Sequence, residues 1–252
     1  MSEVKAVPAP LTRRLVAEGL GTALLVTVVV GSGVAAAALS PTDTGLQLLE
    51  NSTATVFGLA VLILIFGPVS GAHFNPVVSA ADWLLARRGG GGLSGSEVLA
   101  YVGAQTLGGV GGAVLANVMF DLAPLQVSGK DRLSVGHGIG EVVATAGLVL
   151  VIFALARTGR AALSAAAVGA YIGSAYWFTS STSFANPAVT VGRVFSDTFA
   201  GIAPSSAYVF VAAQVLGGLV GLGLVRSLFP DPAVTAAQVV APHPTETTTE
   251  RG

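Results

Sequence analysis

Long apolar runs broken by short polar ones set the rhythm of this chain. Leu15–Leu39, Thr53–Val69, Glu97–Phe120, His137–Ala156, Ala161–Phe178 and Pro204–Phe229 each read as a helix able to cross a bilayer. After the second and fifth runs, small residues lead to an Asn-Pro pair and the sequence then turns apolar again. The two stretches are Ser70-Gly71-Ala72-His73-Phe74-Asn75-Pro76-Val77 and Thr182-Ser183-Phe184-Ala185-Asn186-Pro187-Ala188-Val189. An Asn side chain accepts a free backbone N–H at a helix start, and Pro suits the first helical position because no N–H is needed there. Each pair therefore predicts a helix N-terminus. From Asn75 to Ala86 there is room for about three turns, roughly 18 Å, which is half a membrane. The second segment, Asn186 to about Phe199, is similar. Both are predicted to be re-entrant half-helices. Irregular backbone at membrane depth is tolerated only where it lines a cavity or is buried in protein, so two such entries predict a pore or a binding site.

The two halves of the chain match. Glu18-Gly-Leu-Gly-Thr-Ala is answered by Glu141-Val-Val-Ala-Thr-Ala 123 positions later, Asn75-Pro76 by Asn186-Pro187 after 111, and Ala104-Gln105 by Ala213-Gln214 after 109. Three landmarks in one order make an internal repeat. Each copy holds three spans, an odd number, so the copies insert in opposite orientations and the site is expected near the midplane. The predicted fold is an all-α membrane protein with six transmembrane helices, two half-helices and an inverted 3+3 repeat. Its channel domain covers 13–229, with repeat 1 over about 13–120 and repeat 2 over about 137–229. Tails at 1–12 and 230–252 are polar and predicted disordered, the second being rich in Pro and Thr. Pro41–Glu50, Arg87–Ser96 and Asp121–Gly136 are predicted loops, and Arg157–Arg160 a tight basic turn.

Composition agrees. Only 10% of residues are charged and 52% are hydrophobic, with mean hydropathy +0.77. Soluble domains carry about 25% charged residues, so a polytopic membrane protein is expected. A net charge of −1 suggests no nucleic-acid partner, and the absence of cysteine excludes disulfides and thiolate metal sites. His73, His137 and His243 are far apart, so neither a metal site nor a cofactor is expected. The first apolar run is too long for a signal-peptide core and contains Glu18, which predicts an uncleaved first span. With both termini cytoplasmic in a cell (inner or plasma) membrane, Lys5, Arg13, Arg14, Arg87, Arg88, Arg157, Arg160, Arg226 and Arg251 share the inner side. Lys130, Arg132 and Arg193 take the outer side, an asymmetry that follows the positive-inside rule.

Two half-helices entering from opposite faces would meet N-terminus to N-terminus at Asn75 and Asn186, each end carrying roughly half a positive charge. Amide donors there suit a neutral hydroxyl-bearing solute and repel a cation. Ser70–Phe74 and Ser180–Ala185 are expected to run extended, with Gly71, Ala72, His73, Ser183, Phe184 and Ala185 offering lumen carbonyls. His73 reads equally as a lumen group or as a packing residue. Glu18 and Glu141 are carboxylates in apolar spans and need partners. Their occurrence once per half favours acceptors for the orphan N–H groups of the two loops over proton coupling, and Gln105 and Gln214 are expected to brace them.

With these residues the chain resembles the major intrinsic protein family, the aquaporins and aquaglyceroporins, from about Leu15 to Phe229. Ser-Gly-Ala-His-Phe-Asn-Pro at 70–76 and the paired Glu, Asn-Pro and Gln landmarks carry the resemblance. It implies a pore in each subunit and a homotetramer in the lipid bilayer. Two departures stand out. Val77 occupies the third motif position, where the family usually has Ala. Val189 follows the second motif, where most members place an arginine that narrows the outer constriction. Alignment on the asparagines assigns the remaining constriction positions to Thr55, Ser174 and Ser183, giving a wide, uncharged, moderately polar ring. Arg193, one turn beyond Val189 on the same face, is expected to be an exposed rim charge; the alternative is that it leans into the outer vestibule.

The expected function is a passive channel for small neutral solutes, glycerol-like polyols or metalloid acids such as arsenite, with water, rather than an enzyme. A water-selective aquaporin is the alternative, followed by an ion-coupled secondary transporter, a class that also uses inverted repeats and broken helices.

Overall fold

The computed structural model describes residues 9–87 and 92–229. Residues 1–8 and 230–252, which hold most of the two predicted tails together with Lys5 and Arg251, lie outside the described residues, as does Arg88. Among the described residues the chain is all helical: α1 Leu11–Leu39, α2 Thr44–Ser70, α3 Pro76–Ala86, α4 Gly95–Met119, α5 Val135–Arg157, α6 Ser164–Phe178, α7 Pro187–Arg193 and α8 Pro204–Leu228. A single 3-10 turn, Ala161–Leu163, leads into α6. Six of these, counting the turn with α6, are long and apolar enough to cross a membrane.

Local chemistry sets the helix starts. Asp43 accepts from the Leu46 N–H at 2.9 Å and opens α2 nine residues before the predicted span, so the segment expected as a loop over Pro41–Glu50 is mostly helix. Ser94 and Glu97 form a reciprocal capping box on α4, and Ser134 caps α5. Asn75 and Asn186 cap α3 and α7, with Pro76 and Pro187 in the first turn. At the far end of α2, Gly71 adopts a left-handed φ of 88°, where a Cβ would be strained.

The most extensive packing pairs α1 with α4 and α5 with α8, which are the same pairing in the two repeats. Gly108 and Gly112 make the first one possible: a Cβ on either would fall on the Gly19 or Ala23 carbonyl. The exposed faces carry Phe57, Leu64, Leu99, Leu107 and Val135, whereas Glu18, Gln105, Asn117, Glu141 and Gln214 are fully buried. That inversion of the soluble pattern follows from hydrocarbon solvating the outside.

One half-helix is shorter than its sequence suggests. α7 ends at Arg193, not near Phe199. The carbonyls beyond it find donors elsewhere: Asn117 Nδ2 donates to Phe195 O at 2.9 Å, Arg193 Nε to Ala200 O at 2.5 Å, and Lys130 Nζ to Phe199 O at 2.7 Å. Satisfied from outside, these groups have no need to continue the helix.

Candidate functional site

The two segments leading into the half-helices are not extended. Gly71, Ala72 and Phe74 have positive φ, and so do Thr182, Ser183 and Ala185, each 111 positions later. A non-glycine residue in this region costs of order 1–3 kcal/mol and persists only where its surroundings enforce it. The enforcing groups are the two buried glutamates. Glu18 accepts from the backbone N–H of His73 at 2.9 Å and of Phe74 at 2.7 Å, and from Ser70 Oγ at 2.6 Å and Gln105 Nε2 at 2.8 Å. Glu141 accepts from the N–H of Phe184 and Ala185 at 2.9 and 2.8 Å and from Gln214 Nε2 at 2.6 Å. Gln105 also reaches Ser79 Oγ, and Gln214 reaches Thr190 Oγ1, again 111 positions apart. Drawing the N–H groups back to a carboxylate leaves the carbonyls for the lumen. Those of Ala72, His73, Ser183 and Phe184 accept nothing from the described residues, and all four residues line the central cavity. Gly71 does not line it.

The half-helix starts interlock. Asn75 Oδ1 accepts from the Val77 N–H at 2.9 Å, while its Nδ2 donates to Ala185 O at 2.7 Å. Asn186 Oδ1 accepts from the N–H of Ala188 and Val189 at 3.0 and 3.2 Å, and its Nδ2 donates to Phe74 O at 2.7 Å. A carboxamide has two N–H donors. One on each Asn is spent on the opposite repeat, and the second is left to the cavity that both residues line. Pro76, Pro187 and Val77 stand behind this polar edge: the Val77 side chain packs where a Cβ on Gly218 would sit, and the Ala188 backbone carbonyl lies where a Cβ on Gly109 would.

The cavity and the solvent space open to it together take in about 610 Å³ free of atoms. Its wall is mostly aliphatic and arranged in repeat-related pairs: Leu25 with Leu148, Val29 with Ile152, Leu59 with Val168, Ile63 with Ile172 and Val78 with Val189. His73 lines it too, tied by Nδ1 to Ser79 Oγ at 3.1 Å and edge-on to Tyr101. Its two readings thus describe different atoms of one ring.

The end of the cavity nearest Thr55 breaks this symmetry. Thr55, Ser183 and Val189 line it, but Ser174 does not: it is exposed on the outer side of α6, with its hydroxyl bonded to Tyr171 O at 2.9 Å. Tyr176 takes the lumen position, sharing a 3.2 Å hydrogen bond with Thr55 Oγ1. Two residues along a helix are about 200° around it, so Ser174 and Tyr176 lie on opposite faces of α6. Arg193 also corrects an expectation. It is 2% exposed and lines the cavity instead of standing on the rim, its guanidinium carbon 3.3 Å from the Phe184 ring centroid. Sharing the α7 face with Val189 was the signal for it. Beside it, in the loop between α4 and α5, Arg132 lies 5.2 Å from the same ring and Lys130 4.8 Å from the Phe199 ring. Burial pushes the Arg132 guanidinium down to about 10. Burial, with Arg132 and Arg193 nearby, pushes the Lys130 ammonium down to about 8.

The profile of the family described as Major intrinsic protein matches residues 5–184. The chain is also 50% identical over 218 residues to aquaglyceroporin AqpS of Rhizobium meliloti, covering 86% of this chain and 91% of that protein. The chain belongs to the major intrinsic protein family. Other relatives agree. It is 32% identical to the glycerol uptake facilitator protein of Pseudomonas aeruginosa, over 95% of this chain and 97% of that one. It is 31% identical to aquaporin Z of Photorhabdus laumondii, over 88% and 99%. The aquaglyceroporin structure from Plasmodium falciparum shares the fold, with a TM-score of 0.60 at 20% identity over 86% of this chain and 96% of that one. As a member of the major intrinsic protein family, the chain is a multi-pass membrane channel and not an enzyme.

Proposed function

We propose that each subunit is a passive channel for small neutral solutes of glycerol type, with water as co-permeant. The observation that carries this is the two-sided lumen. One edge offers the spare amide N–H groups of Asn75 and Asn186 and the free carbonyls of Ala72, His73, Ser183 and Phe184. The facing wall is aliphatic. A polyol has the same two sides, hydroxyls along one edge and C–H groups along the other, so it exchanges its hydration shell for matched contacts. Arsenous acid, neutral and tri-hydroxylated, meets the same donors and acceptors and is proposed as a second cargo. The relatives named for glycerol uptake and as aquaglyceroporins support the class of solute.

A water-selective channel is the second reading. It is favoured by Tyr176 and Arg193, which return an aromatic group and a cation to the mouth where Val189 had suggested a wide, neutral ring. Stopped-flow shrinkage of proteoliposomes separates the two. Glycerol and arsenite entry well above empty vesicles is the expected result; fast water flux with neither solute defeats the proposal.

The positive-inside rule supports an orientation in a cell membrane with both termini cytoplasmic, Arg13, Arg14, Arg87, Arg157, Arg160 and Arg226 inward and Lys130, Arg132 and Arg193 outward. A homotetramer is proposed from the family resemblance, and its apolar outer faces allow both lipid and subunit contact.

A further inference from the structure

A buried guanidinium is costly in a low-dielectric surrounding unless something uses its charge. Arg193 is 2% exposed, and among the described residues no carboxylate lies within salt-bridge distance of it. The nearest loops hold carboxylates already engaged: Asp131 with Ser206 Oγ and the Leu133 N–H, Asp197 with Ser128 Oγ and the Gly129 N–H. Among the described residues only Nε of Arg193 has a protein acceptor, the Ala200 carbonyl at 2.5 Å, and the aromatic face of Phe184 supports the plane. Its two terminal amino groups have no acceptor among the described residues, and the side chain lines the cavity. Its repeat counterpart, 111 positions earlier, is Asp82, which bonds the Leu93 N–H and stays out of the lumen. Among the described residues, a charged side chain thus lines the cavity in the second repeat and its counterpart in the first does not.

We propose that Arg193 is the specificity-determining cation of this mouth, set one helical turn beyond Val189, so that it repels cations and donates to solute oxygens without filling the passage at Val189. A brace for the Ala200 carbonyl would require one neutral donor. A guanidinium with two free amino groups over an aromatic ring supplies more than that, and Arg132 and Lys130 add to the same positive field. Charge exclusion and pore width, usually vested in one side chain at a constriction, are divided here between Arg193 and Val189. This deepens the channel reading and rests on it.

The test compares potassium efflux with water flux in proteoliposomes of the full chain, for wild type, Arg193→Gln and Arg193→Lys. The expected result is a low ratio for wild type and Arg193→Lys, and a rise of about tenfold or more for Arg193→Gln, as removal of a nearby like charge in a low-dielectric passage requires. Arg193→Met, which keeps the unbranched stem against Phe184, replaces Arg193→Gln if the latter is not monodisperse. A wild type that already conducts potassium overturns the proposal, as does an unchanged ratio in the neutral variants or a leak in Arg193→Lys equal to theirs. Because the ratio is taken to water, absence of glycerol entry in wild type would defeat the proposed cargo and leave this result standing or falling separately.

Discussion

The side-chain amide of Asn75 donates to the carbonyl of Ala185 at 2.7 Å, and Asn186 returns the bond to Phe74 at the same distance. Each repeat thereby closes the backbone of the other, and the residue that caps a half-helix also fixes the loop facing it.

Replacing Asn75 by Ala removes the cap, worth about 1 kcal/mol, and leaves the Ala185 carbonyl unpaired, worth about 1–3 kcal/mol. The variant is expected to unfold at lower temperature in detergent, and Asn186→Ala to do the same. Asn75→Asp keeps the capping oxygen but sets a second acceptor oxygen against the Ala185 carbonyl, so it should also unfold below wild type. Equal unfolding temperatures for all four proteins would show that the crossed bonds carry no weight.

Glu18 accepts four hydrogen bonds and Glu141 three. Gln in either place has one acceptor oxygen and turns an N–H₂ toward backbone N–H groups, so a loss of about 3–5 kcal/mol is expected from each. Yield of monodisperse protein measures it. Flux through wild type should meanwhile be indifferent to a proton gradient, because both carboxylates are occupied by fixed donors. Uptake that follows an imposed pH step would contradict this assignment.

Val189→Arg adds a second guanidinium to the cavity wall that Val189 and Arg193 both line. Glycerol entry is expected to fall before water flux, by about tenfold against less than about twofold, since the larger solute loses the clearance first. Stopped-flow traces on the same vesicles decide it. Parallel loss of both would remove Val189 from the constriction.

Lys130 should titrate near 8 instead of the ordinary 10.5. Between those values the unfolded chain binds more protons than the folded one, so folded stability rises with pH across this interval. Below about 8 the burden of holding a buried ammonium beside Arg132 and Arg193 is fully present. Acylation of Lys130, followed by mass spectrometry, should reach half its maximal rate near pH 8, and the unfolding temperature of wild type relative to Lys130→Met should climb from pH 7.5 to 9.5. A reactivity midpoint near 10.5 would refute both.

Much of this molecule is written locally. Six apolar runs, two Asn-Pro pairs and the paired Glu and Gln residues are legible because hydrophobic length, capping chemistry and repetition each depend on near neighbours in the chain. From those alone follow the six spans, the two half-helix starts and the meeting of the repeats. Other features needed the folded molecule. The early start of α2 turns on Asp43, whose cap holds a first turn and a half of mostly polar sequence in the helix. The left-handed backbone at Ala72, Phe74, Ser183 and Ala185 exists only because two glutamates on other helices gather the N–H groups. α7 stops at Arg193 because Asn117, Lys130 and Arg193 itself satisfy the carbonyls beyond it. Tyr176 and not Ser174 faces the lumen because the rotation of α6 is set by its neighbours, which an evenly apolar helix does not announce. The chain by itself determined which segments cross the membrane and where they break; only tertiary packing decided which side chains reach the passage, since that depends on helix rotation and on hydrogen-bond partners far away in sequence.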